Sequence, residues 1–106
     1  MPFKSAFVGV APGVDPARHR TSIKTEKYEF TAVLVELGDL DEAVEACKDL
    51  VQNQGIDALI LCPAFTHEEV GRIVSAVGVD IPISVARSDS PGTKITGEIL
   101  KREKWV

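Results

Sequence analysis

Apolar positions along the chain fall into two rhythms. Residues 3–10, "FKSAFVGV", and 28–36, "YEFTAVLVE", are dense in aromatic and β-branched side chains and predict two strands. Between them, Asp15 followed by Pro16 has the form of an N-cap with proline in the first turn, which predicts a short helix across "PARHRTSI". From 40 to 51 the rhythm changes. Leu40, Ala43, Val44, Cys47, Leu50 and Val51 recur at spacings of three and four, the stripe of an amphipathic helix. Asp39 or Asp41 can cap it, and Gly55 lies just past its end. "IDALILC", 56–62, is apolar at every middle position, which predicts a strand buried on both faces. Thr66 and Glu69 then form a capping box for a helix over 66–77, with Val70, Ile73, Val74 and Val77 inward and Gly78 at its end. Glu68 is spaced to pair with Arg72 on that helix. "IPISVA", 81–86, is the fourth predicted strand, and the tail "TGEILKREKWV" suits either a short helix or an edge strand.

Strand, helix, strand, helix, strand implies right-handed crossovers and parallel pairing. The expected fold is therefore α/β: a single-layer, mostly parallel four-stranded sheet with a β-α-β-α-β core, like half of a flavodoxin or Rossmann fold, and two main helices. At 106 residues this is one domain, 1–106. Four strands with apolar character on both faces need cover on both faces, and two helices barely supply it. A homodimer is the expected remedy.

Composition narrows the function classes. Apolar residues make up 44% and charged residues 26% of the chain, as in a globular domain rather than a disordered one. The longest apolar run is too short to cross a bilayer, which argues against a membrane role. The first ten residues lack the apolar core of an export signal, so a cytoplasmic location is expected. The net charge of -4 argues against nucleic acid as a partner. Its distribution is uneven: residues 36–80 hold ten acids against Lys48 and Arg72, while Arg18, Arg20, Lys24 and Lys27 cluster upstream. No Cys/His set has metal-ligand spacing, and no Gly-rich nucleotide loop is present, so neither metal nor cofactor is expected.

Candidate chemistry gathers where open parallel sheets bind ligands, beyond the carboxyl ends of the strands. Three segments reach that rim: "VAPGVDPARHR", "CPAFTHEE" and "ARSDSPG". His19, Arg20, Thr66 and Arg87 are the candidate ligand-binding residues, with helix-terminal amides and arginines suited to a carboxylate or phosphate. Cys62 and His67 are the candidate catalytic residues, one as nucleophile or base and the other as acid or base. The competing structural readings are plain. Cys62 can be a small hydrophobe ending a strand, His67 an exposed first-turn residue, and Arg87 the surface partner of Asp89. Cys47 lies on a helix's apolar stripe and reads as core.

Two stretches, "APGVDPARHR" (11–20) and "GIDALILCPAFTHEEVGRIVSAVG" (55–78), together resemble a family of small bacterial proteins known only as domain of unknown function 6506. The resemblance implies a single-domain protein and no particular activity. A looser one is to aspartate/glutamate and hydantoin racemases, where a strand ends at a catalytic cysteine closely followed by Thr-His. Here Thr66 and His67 are displaced by three residues, and the second cysteine lies on a helix. The expected function is binding of a small anionic metabolite at the strand rim. The alternatives are a Cys62/His67-dependent isomerase, racemase or hydrolase, and a dimeric interaction module without catalysis.

Overall fold

A computed structural model describes residues 1–106. The chain runs β1 (Phe3–Ala11), β2 (Arg20–Lys24), β3 (Tyr28–Glu36), α1 (Leu40–Gln52), β4 (Ala58–Leu61), α2 (His67–Val77), β5 (Ile83–Val85) and α3 (Gly92–Arg102). The five strands form one sheet in the order β2-β3-β1-β4-β5. All neighbours are parallel except β2, which is antiparallel to β3.

This corrects the expected count of four strands and two main helices. The segment after Pro16 is not a helix. Asp15 does act as a cap, its carboxylate accepting from the Ala17 amide and its carbonyl from those of Arg18 and His19. A single turn forms, and the chain then extends into β2. The polar "RTSIK" suits an edge strand, and Ser22 and Thr31 share a hydroxyl hydrogen bond of 2.8 Å across the pair. A two-residue loop, Glu26–Lys27, closes the hairpin, with Thr25 N–H donating to the Tyr28 carbonyl. The ambiguous tail forms most of the third helix, α3.

The steps β3-α1-β4 and β4-α2-β5 run in the same direction across the sheet. Right-handed crossovers therefore place α1 and α2 on one face, where they pack on each other. Alternation along the strands sends Ala6, Val8, Val33, Val35, Leu59 and Leu61 to that helix face, where they meet Ala43, Cys47, Leu50 and Ile73 in the core. The other residues of each strand point to the far face. There β4 is only half-buried, alternating with the fully buried Leu59 and Leu61. The expectation of a doubly buried central strand is thus corrected: its second face has no α1 or α2 to cover it.

Asp39 is the N-cap of α1, its carboxylate accepting from Glu42 N–H at 3.0 Å. The Thr66–Glu69 capping box is present at α2, in both directions, and Gly78 at φ 99° ends that helix. Arg72 pairs with Asp41 of α1 at 3.6 Å rather than with Glu68, so the ion pair links two helices instead of one turn to the next. Thr66→Ala removes one half of the capping box and should lower unfolding stability by about 1 kcal/mol, read from urea denaturation midpoints. A loss indistinguishable from zero would show that the remaining contacts alone set the start of α2.

Candidate functional site

β1, β3 and β4 end side by side at the carboxyl rim. α3 lies over their far face without burying any of its own residues. Between helix and sheet is a cavity of about 840 Å³. Its floor is Phe7, Gly9 and Leu34, and its wall is Cys62, Pro63 and Ala64. Arg87, Ser88 and Asp89 stand at one side, and Thr93, Thr96, Gly97 and Leu100 form the roof. After α3 the chain turns back through Lys104 at φ 63°, and Trp105 closes the end.

Each lining group has a local cause. Gly9 keeps the floor flat, because a Cβ there would meet Leu34 Cδ2 at 3.2 Å and the Phe7 ring at 3.4 Å. Cys62 continues the far-face alternation of β4 and is held by its amide, which donates to the Val8 carbonyl at 3.0 Å. Ser88 and Thr93 share a hydroxyl hydrogen bond of 2.8 Å that ties the β5–α3 loop to the helix start. Arg87 donates to the Asp89 carboxylate at 2.9 Å, yet its side chain is 85% exposed, so this pair is solvent-screened and readily exchanged.

The six candidate residues do not gather in one place. Cys62 and Arg87 line the cavity together. Thr66 and His67 are exposed at the start of α2, and the Thr66 hydroxyl is occupied by the Glu69 amide. The Glu69 carboxylate in turn takes the Thr66 amide, so two of the helix-terminal donors are spent internally. His19 is turned into its own loop, its Nδ1 accepting from Asp15 N–H at 2.8 Å. Arg20 belongs to the helix face, where it donates to the Pro16 carbonyl at 2.6 Å and lies 3.9 Å from Asp49 of α1. Sequence reasoning missed the roof. Thr93, Thr96 and Gly97 recur at helical spacing, but the ambiguity of the tail hid which side they would face. Burial pushes the Cys47 thiol up to about 12, so this second cysteine is an inert part of the core.

No group of three or more His, Cys, Asp or Glu side chains could hold a metal ion. No helix is long and apolar enough to cross a membrane.

Fold and cleft together define a small α/β protein with a one-sided helical layer and a hollow beneath its last helix. The chain belongs to a family of unknown function, DUF6506, which matches residues 3–97. No curated protein and no solved structure matches it, and nothing supports the racemase likeness.

Proposed function

We propose that this protein binds a small molecule with an apolar body and a carboxylate head in the cavity beneath α3. The observation that carries this reading is the cavity itself. Its volume, about 840 Å³, falls within the roughly 300–1,000 Å³ typical of small-molecule sites. Its chemistry is divided in the way such ligands require. Phe7, Leu34, Leu100 and Trp105 would hold the body, and Arg87 with the hydroxyls of Ser88, Thr93 and Thr96 would hold the head. Asp89, now on Arg87, would be displaced by the ligand's own carboxylate. Covalent chemistry at Cys62 is less well supported, because His67 does not line the cavity beside it.

A panel of aryl and branched-chain carboxylates tests the reading by thermal shift. A true ligand at a hundred times its Kd should stabilise the fold by about 2.7 kcal/mol and protect Cys62 from iodoacetamide. Arg87→Gln should weaken binding tenfold or more. Gly97→Leu places a side chain where only open space is met, and should abolish binding while leaving the fold intact. If no carboxylate moves the melting temperature, or both variants bind as the wild type does, the reading fails.

A further inference from the structure

We infer that a second copy of this chain covers the half of the far sheet face that α3 leaves open, with the α3 of each copy laid against the other's aromatic patch. The patch is the Phe3–Tyr28–Phe30 row, with ring centroids 5.4 and 6.4 Å apart, extended at the sheet edge by Ile23. Register places all four on the far face, away from α1 and α2. The surface is incompletely covered: Ile23 is 66% exposed and Phe3 52%.

Three observations select a second copy as the occupant. The first is area. The chain exposes 6934 Å², whereas a folded monomer of 11.4 kDa is expected to expose about 5,800 Å². That excess, about 1,100 Å², exceeds the roughly 800 Å² that each partner buries in a standard interface. The radius of gyration agrees, at 14.1 Å against about 13 Å for a compact chain of this length.

The second is dimension. An 11-residue helix is about 16 Å long and about 10 Å wide. The far face is about 20 Å across and, along its nine-residue strands, about 30 Å long. One α3 leaves room for another.

The third is the helix. The residues α3 turns to its own sheet are Gly92, Thr93, Thr96, Gly97 and Leu100. Its larger apolar residues, Ile95 and Ile99, lie on a different side and are left exposed. The chain therefore carries both an unpartnered apolar patch and an unpartnered apolar helix stripe. Exchange of the two between copies is self-complementary and closes on itself, as a two-fold interface requires. This goes beyond ligand binding and does not depend on it.

Sedimentation equilibrium at tens of micromolar decides the matter, without added ligand. The wild type should have about twice its chain mass. Ile95→Glu with Ile99→Glu should sediment as a monomer, with unchanged far-ultraviolet circular dichroism. Ile23→Glu changes only the sheet side and should do the same, so it decides the case if the helix variant loses its fold. A monomeric wild type overturns the inference, and so does a dimer that survives in folded variants of both kinds.

Discussion

Leu61→Ala should remove about 2–5 kcal/mol of unfolding stability, whereas Leu34→Ala should cost well under half as much in the unliganded protein. The two positions are chemically alike, and both lie on parallel strands of the one sheet. Leu61 is fully buried, on the helix face between the sheet and the α1–α2 layer. Truncation there strips away most of a side chain's contacts and leaves a void that α1 and α2 cannot close without disturbing each other. Leu34 is 38% exposed and forms part of a cavity floor, so its truncation enlarges a space that already exists. Equilibrium urea unfolding of both variants, compared at constant m-value, measures the difference. Equal losses would mean that the far face is as tightly packed as the helix face, and the one-sided core would have to be abandoned.

A second large effect lies at alkaline pH. Burial raises the Cys47 thiol from 9.0 to about 12 in the folded state, because the thiolate would have to sit among apolar neighbours. The unfolded chain ionises first. Above about pH 9 the native state thus holds a proton that the unfolded state has lost, and stability falls as pH rises. The contribution is intact below about pH 9 and declines by about 1.4 kcal/mol per unit until the native thiol itself titrates near 12. By roughly pH 10.5 the loss from this one group should be about 2 kcal/mol. The informative quantity is the difference in slope between the wild type and Cys47→Ala. The alanine variant should start lower, through its cavity, and fall less steeply. Parallel slopes would show that Cys47 ionises as easily in the fold as outside it.

Much of this architecture was readable from residue pattern, for reasons particular to each element. α1 and α2 carry their caps in the sequence, as Asp39 and the Thr66–Glu69 box, and their inner stripes are unbroken. β1 and β3 are long and rich in β-branched and aromatic residues. β2 was not readable, because an edge strand has little to bury and its five residues are mostly polar. The Asp15–Pro16 signal there was real but local: it makes a turn, and one turn does not fix the conformation of the residues beyond it. The continuous apolar middle of "IDALILC" also misled, since a parallel strand can be apolar on a face that the chain's own crossover helices never reach. Of the cavity lining, Cys62 and Arg87 were legible because each lies just past the end of a parallel strand. Thr93, Thr96 and Gly97 were not, because their part in the cavity depends on α3 crossing the far face, which no local pattern encodes.

The edges of the sheet constrain how chains can meet. One edge is β2, with Arg20, Ser22 and Lys24 on its helix face and Lys24 paired to Glu29 at 3.4 Å. The other is β5, three residues long, entered from Pro82, which has no amide hydrogen to offer a neighbouring strand. Long, flat, apolar edges recruit further strands and seed fibres, and charge, brevity and proline all suppress that. Two copies approaching edge to edge would have to strip water from lysine and arginine at one side or extend a three-residue ladder at the other. The aromatic patch lies on the broad face rather than along a hydrogen-bonding edge, and a two-fold contact there takes one partner. A chain that leaves this much of itself uncovered can therefore pair without polymerising.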